Sequence, residues 1–376
     1  MFARMTTNIV VSSSSPDKMS PNTTEEFPYS EEKLVKAEMK MLSTLKTPHK
    51  TFYVPIKLPS GSNEKVWTIS FNTESKNTPI VLIHGFAAGS CFWLLNFDAL
   101  AKNRPVYALD IIGFGRSSRP EFEENGIGAE KQIVDSIEEW RKEMNLEKFV
   151  LVGHSMGGYI CTAYTLDYPD RVEHLVLCDP WGFSDRKAYP NIQIKALCYL
   201  YSKISPLEFL RMLGKLGPWW IRQTCDDIVD NYSSVLEDRT IMSNYIYHCN
   251  AQNPTGERAF TTMVKKIGRA RNPMIRRVNK LREDLPVTIL YGKNTWMDKE
   301  MGKRIQDMRP NTIDVRYIDN AGHHIYSERA ELFNEIVNNV SDSVDQKKNK
   351  GNVPNGIANG MKSVNENVDN LSETLN

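Results

Sequence analysis

Phe149-Val150-Leu151-Val152-Gly153-His154-Ser155-Met156-Gly157-Gly158 is the stretch that decides how this chain folds. An apolar, β-branched run meets a serine with glycine two residues before and two after it, and a small-residue helix start follows. That order of strand, tight turn and helix predicts a nucleophile elbow, in which only glycine fits the flanking positions and the strained turn lifts the serine Oγ clear of the sheet. The N–H of the next residue, Met156, would then point at the same spot from a helix N-terminus, where unpaired donors favour an oxyanion. A glycine-rich turn with an incidental serine is the duller alternative.

A serine hydroxyl is a poor nucleophile alone, so the elbow calls for a histidine to take its proton and a carboxylate to orient that histidine, in the chain order serine, acid, histidine. Downstream lie His174, His248, His323 and His324. His174 falls in the apolar run from Val172 to Cys178, and His248 in a tyrosine-rich stretch that reads as core or lid. Gly322-His323-His324 follows the strand-like Val315 to Ile318 and precedes a helix-like segment, so the base is expected at His323, directly after the glycine. For the acid, Leu285 to Gly292 reads as a buried strand with Asp298 in the loop beyond it. Asp298 is the expected acid. Asp179, at the end of the strand after the nucleophile, is the rival, but Pro180-Trp181-Gly182 follows it and suggests a turn and pocket wall. Asp319 is too close in sequence to His323 to reach its Nδ1.

Upstream, Ile80-Val81-Leu82-Ile83 has the continuous apolar character of a strand buried on both faces, and it ends in His84-Gly85-Phe86-Ala87-Ala88-Gly89. That loop can bring a second N–H, of Phe86, to the oxyanion, with His84 bracing the loop. Asp110 to Ser118 follows another strand; its glycines lack the third member of a phosphate-binding fingerprint and read as a structural turn.

The pattern predicts an α/β fold, a mostly parallel sheet with helices on both faces and a helical cap. Residues 1–30, rich in Ser, Thr, Pro and Asn, read as a flexible arm. The first part of the core is expected over 31–183, the cap over 184–282, the second part of the core over 283–340, and a polar, disordered tail over 341–376. Lys50–Val54 and Val66–Ser70 predict a hairpin, and Ile133, Ile137, Trp140 and Met144 form the apolar stripe of a crossover helix.

The cap run from Leu207 to Ile221 contains Trp219-Trp220 and could line an acyl tunnel, dip into a lipid surface, or simply pack on the core. The cations of Lys265 to Arg282 could hold anionic head groups or form a solvated face. A net charge of +1 gives no argument for nucleic acid. The 6 cysteines show no metal-like pairing, and their apolar surroundings suit a reducing compartment. No segment has transmembrane length, and the first residues lack a signal peptide's apolar region, so membrane contact is expected to be peripheral.

Across residues 30–340 the chain resembles the abhydrolase domain-containing protein 4 and 5 group of the α/β-hydrolase superfamily. The resemblance is carried by Arg104-Pro105-Val106-Tyr107-Ala108-Leu109-Asp110, Gly113-Phe114-Gly115-Arg116-Ser117-Ser118-Arg119-Pro120, Ser136-Ile137-Glu138-Glu139-Trp140-Arg141, Pro180-Trp181-Gly182-Phe183 and Tyr245-Ile246-Tyr247-His248-Cys249-Asn250. It implies chemistry on acyl groups of lipids. One branch of the group keeps serine in the elbow and hydrolyses lipids; the other carries asparagine and activates a separate triglyceride lipase at lipid droplets. Ser155 sides with the hydrolases. The group's acyltransferase signature is histidine, four residues, aspartate; here His323 is followed by Glu328, which also has a local explanation at a helix start. Residues 1–45 contain no tryptophan, unlike the tryptophan-rich N-terminus of the droplet-binding members. The expectation is a cytoplasmic serine hydrolase, peripherally attached to lipid droplets or membranes, cleaving acyl ester or amide bonds of lipids with Ser155, His323 and Asp298 and with the Phe86 and Met156 amides as oxyanion donors. Neither metal nor organic cofactor is implied. The alternatives are a lysophosphatidic acid acyltransferase using acyl-CoA, and a coactivator of a triglyceride lipase partner.

Overall fold

The computed structural model describes residues 28–185, 205–265 and 268–351. Eight strands form one sheet in the order β1-β2-β4-β3-β5-β6-β9-β10: β1 (His49–Lys57), β2 (Asn63–Phe71), β3 (Ile80–Ile83), β4 (Val106–Leu109), β5 (Phe149–His154), β6 (Val172–Cys178), β9 (Val287–Gly292) and β10 (Ile313–Ile318). The pairs from β4 to β10 are parallel, and the β1–β2 hairpin joins β4 antiparallel. The expected hairpin is present, with Val54 opposite Val66.

The apolar runs are continuous because both faces of the sheet are covered. Ile80 and Leu82 of β3, with Val150 and Val152 of β5, point to one face, against α1 (Glu31–Leu42), α2 (Phe97–Leu100) and the C-terminal helix. Val81, Ile83, Phe149 and Leu151 point to the other, against α3 (Gly126–Glu143) and α4 (Met156–Asp167). Ile133, Ile137 and Trp140 of α3 are fully buried there, and the Trp140 indole donates to Thr68 Oγ1 at 2.9 Å.

Between β6 and β9 the described chain turns helical: α5 (Pro206–Met212), α6 (Gly217–Thr224), α7 (Asp226–Asp230), α8 (Arg239–Asn250) and α9 (Thr255–Met263), followed by a small hairpin of β7 (Val264–Lys265) and β8 (Arg269–Ala270). Arg119 fastens this block to the sheet. Its guanidinium donates to the carbonyls of Gly113 and Gly115 on the core side and of Cys249 and Asn253 on the helical side.

Between β9 and β10 lies α10 (Glu300–Met308), and after β10 come α11 (Ile325–Glu328) and α12 (Ala330–Gly351). The expectation that order ends at residue 340 needs correction. α12 runs on to Gly351 because its second half has long-range partners: Ser341 is fully buried, and Asp345 accepts from the Thr78 N–H at 2.9 Å and from Arg104 at 2.6 Å. Such partners, some 240 to 270 residues away in sequence, leave no trace in local composition. The expected arm lies almost wholly outside the described residues, as does the remainder of the expected tail.

Candidate active site

Ser155 stands between β5 and α4 with φ 53 and ψ −118, a conformation L-residues avoid. The glycines around it are sterically required. A Cβ on Gly153 would come within 2.6 Å of both Gly157 O and Cys161 Sγ, and one on Gly157 within 2.4 Å of His84 O. The elbow is held by Ser155 N–H donating to Cys178 O and by Trp181 N–H donating to Ser155 O.

His323 Nε2 lies 3.0 Å from Ser155 Oγ, and His323 Nδ1 lies 2.6 Å from Asp179 Oδ2. The structure therefore joins Ser155 and His323 as expected of the sequence and corrects the expectation for the acid. Asp298 is half-buried and accepts from the Ser184 hydroxyl at 2.6 Å instead. The reason is register. Cys178 of β6 is aligned with His154 of β5, so Asp179 leaves the sheet directly beside the elbow, whereas the chain beyond Gly292 first puts Thr295 against Asp179 and carries Asp298 past it. Thr295 Oγ1 donates to Asp179 Oδ2 at 2.5 Å and the Gly292 N–H to Oδ1 at 3.3 Å. Neither donor was foreseen from sequence, since a threonine three residues past a glycine-ended strand carries no signal.

Burial sets the electrostatics. It pulls the His323 imidazole below its ordinary value, so the ring rests neutral at pH 7, the form able to take a proton. It pushes the Asp179 carboxyl up, and the Thr295 hydroxyl and Gly292 amide pull it back toward the anion. With Oδ2 accepting, His323 Nδ1 carries the hydrogen and Nε2 presents its lone pair to Ser155.

The His84 loop follows β3. Ile111 N–H donates to His84 Nε2 at 3.0 Å, which puts the hydrogen on Nδ1, donated to Gly85 O at 2.7 Å. His84 thus braces the loop. A Cβ on Gly85 would lie 3.1 Å from Ser155 Cβ, so this backbone abuts the serine, with Phe86 next in line. Met156 opens α4, and its N–H is one of the first-turn amides with no acceptor inside the helix. The Asp110–Ser118 segment is a turn packed against the helical block: a Cβ on Gly113 would meet Gly256 backbone at 2.6 Å.

The histidine loop is framed by rings. Trp296, largely exposed, has its ring centre 5.0 Å from that of His323, and His154 lies 4.6 Å away on another side with Nε2 at 2.9 Å from His323 O. Glu328 accepts from the backbone amides of Gly322 and of His324, the latter at 3.2 Å.

Of the expected docking elements, α5 and α6 are two-sided. Leu207, Leu210 and Ile221 are buried and Trp220 packs on the core, but Phe209, Met212, Leu216 and Trp219 are exposed, Met212 at 71% and Leu216 at 62%. The basic run fares differently. Arg277 pairs with buried Glu130 at 2.7 Å, Arg282 with Asp284 at 2.6 Å, and Arg276 lies 3.8 Å from Asp185. Among the described residues the cysteines are all unpaired and buried, and no helix is long and apolar enough to cross a membrane.

Comparison with known proteins agrees with this architecture. The family model for the alpha/beta hydrolase fold matches residues 78–330. The chain is 41% identical over 320 residues to a (lyso)-N-acylphosphatidylethanolamine lipase of Bos taurus, covering 83% of this chain and 92% of the relative. It is equally 41% identical over 320 residues to the 1-acylglycerol-3-phosphate O-acyltransferase ABHD5 of Homo sapiens, covering 83% and 90%. Among solved structures, carboxylesterase CesB (YbfK) of Bacillus subtilis shares the fold with a TM-score of 0.59 at 20% identity, over 81% of this chain and 97% of that one. A match across most of the sheet and cap, with relatives this similar over most of their length, places the conclusion beyond the elbow alone: the chain belongs to the α/β-hydrolase family.

Proposed function

We propose that the protein is a serine hydrolase that cleaves acyl ester or amide bonds of lipids. The observation that carries this reading is the unbroken hydrogen-bonded line from Ser155 Oγ through His323 to Asp179 at a strained elbow. The lipid class is supported by the lipase and acyltransferase relatives and by the apolar ridge of α5 and α6.

In the proposed mechanism His323 Nε2 takes the Ser155 proton as Oγ attacks the acyl carbonyl. The Phe86 and Met156 amides hold the tetrahedral oxyanion. His323 then gives its proton to the departing alcohol or amine, leaving an acyl-enzyme, and Asp179 steadies the transient imidazolium. Water, deprotonated by His323, attacks the acyl-enzyme, and the Ser155 Oγ–acyl bond breaks as His323 returns the proton to Oγ, releasing the fatty acid. A lysophospholipid hydroxyl entering in its place would complete acyl transfer through the same atoms, and the ABHD5 relative favours keeping that second reading.

The exposed ridge of Phe209, Met212, Leu216 and Trp219, with exposed Lys215 among them, serves in this reading as a peripheral contact with a lipid surface. Burying each such side chain contributes roughly 1.5–3 kcal/mol.

The test is fluorophosphonate labelling of the pure protein, then a panel of phospholipids, lysophospholipids and acylglycerols with and without acyl-CoA. Labelling that depends on Ser155, with release of fatty acid, supports the hydrolase. No turnover, together with stimulation of an added triglyceride lipase that survives Ser155→Ala, would make the protein a coactivator instead.

A further inference from the structure

Glu328 occupies the position where the resembled acyltransferase signature has aspartate, which invites a role in handling the acyl acceptor. Its geometry points elsewhere. Oε2 accepts from the Gly322 N–H and Oε1 from the His324 N–H, the two amides that flank His323. The loop these amides belong to has no strand or helix to hold it: β10 ends at Ile318 and α11 begins at Ile325. Two carbonyls of the loop are also tied down, His323 O by His154 Nε2 at 2.9 Å and His324 O by the N–H groups of Ser327 and Glu328 at 2.9 Å each. The carboxylate gives each of the two converging N–H donors its own acceptor oxygen.

We propose that Glu328 is a positioning residue for His323, holding the imidazole in line with Ser155 through the backbone and carrying no proton in either hydrolysis or acyl transfer. This rests on the reading of Ser155 and His323 as nucleophile and base. Because both reactions pass through the same imidazole, both depend on Glu328 to the same degree.

Glu328→Gln tests this. The side chain keeps its size, but one of its two ends becomes a donor facing an N–H. Displacing a reacting group by about 1 Å can lower a rate by ~100-fold, so fluorophosphonate labelling is expected to slow by between ~10-fold and ~100-fold. Fatty acid release and transfer from acyl-CoA to lysophosphatidic acid should fall in the same proportion, leaving their ratio unchanged. The hydrogen-bonded Nδ1 proton of His323, read by proton NMR, should shift or broaden while the melting temperature stays close to that of the parent. Glu328→Asp, which keeps the charge with a shorter reach, should recover part of the rate, and it carries the comparison if the glutamine variant does not fold. Selective loss of transfer with labelling intact in either variant, or parental labelling and an unmoved Nδ1 resonance in Glu328→Gln, would overturn the proposal. If the parent protein is not labelled at Ser155, the nucleophile assignment has failed, and the His323 resonance alone then decides whether Glu328 positions the ring.

Discussion

Gly292 and Gly322 are in backbone contact: a Cβ added to Gly292 would lie 2.0 Å from Gly322 O. Gly292 ends β9, the strand that separates β6 from β10. For Asp179 beyond β6 to reach His323 beyond β10, the histidine loop must cross close over the end of β9. The missing side chain makes the room. Gly292→Ala should therefore push the histidine loop away, lowering hydrolysis by at least ~100-fold and costing about 1–3 kcal/mol of stability from overpacking. Activity on a soluble ester and the denaturation midpoint would both report it. Parental activity would show that the loop can move aside.

In the proposed mechanism Ser155→Ala removes the nucleophile from a group that works as a unit, so the rate should fall by on the order of 10⁶ and labelling should vanish. Alanine tolerates the strained backbone no better than serine. Glycine at 155 should fold more stably than alanine by about 1–3 kcal/mol, the order of strain such conformations store. Equal stability of the two would mean the elbow is unstrained in solution.

The acid can be assigned by comparing two asparagine variants. Asp179→Asn leaves His323 free to adopt the wrong tautomer and should lose ~10⁴ in rate. Asp298→Asn alters a bond to Ser184 and should lose less than about tenfold, in keeping with its distance from the reacting groups. The reverse ranking, measured on a soluble ester, would restore Asp298 as the acid.

The pH dependence follows from the burial of His323. Its folded-state value is depressed, so the neutral, active form persists as pH falls below the ordinary imidazole range. The acid limb of kcat/KM should accordingly lie below pH 6.5, the unperturbed histidine value. A limb at or above that pH would contradict a buried, neutral base.

Trp219 and Trp220 should behave differently although adjacent. Trp219→Ala, at an exposed position, should weaken vesicle binding and activity on vesicles while leaving a soluble ester and the fold untouched. Trp220→Ala removes packing from the core-facing side and should lower stability, by up to about 3–5 kcal/mol if the site cannot relax. Because Phe209, Met212 and Leu216 share the exposed side, charging Met212 and Leu216 together should deepen the first effect. Equal loss on vesicles and soluble ester would retire the docking surface.

Much of the site is written in local sequence. The glycine-flanked serine after an apolar run announces the elbow, although Gly157 is required by the approach of His84 O from a distant strand end; the twofold-buried strands announce themselves as apolar runs, and His323 follows from its glycine and its place between a strand and a helix. The choice between Asp179 and Asp298 does not. Both follow strands and both precede the histidine, and what separates them is the lateral order β5-β6-β9-β10, which sets Asp179 beside the elbow. Likewise the extension of α12 past residue 340 depends on Arg104 and Thr78, and the exposure of Met212 and Leu216 depends on which side of the α5–α6 segment packs on α8. Turns and periodicity are properties of neighbouring residues, so the sequence by itself determined the elbow, the histidine that meets its serine and the layered α/β architecture. Which carboxylate meets His323, the extension of α12 past residue 340 and the exposed face of the cap are contacts between residues far apart in the chain, and only the packed tertiary structure decided them.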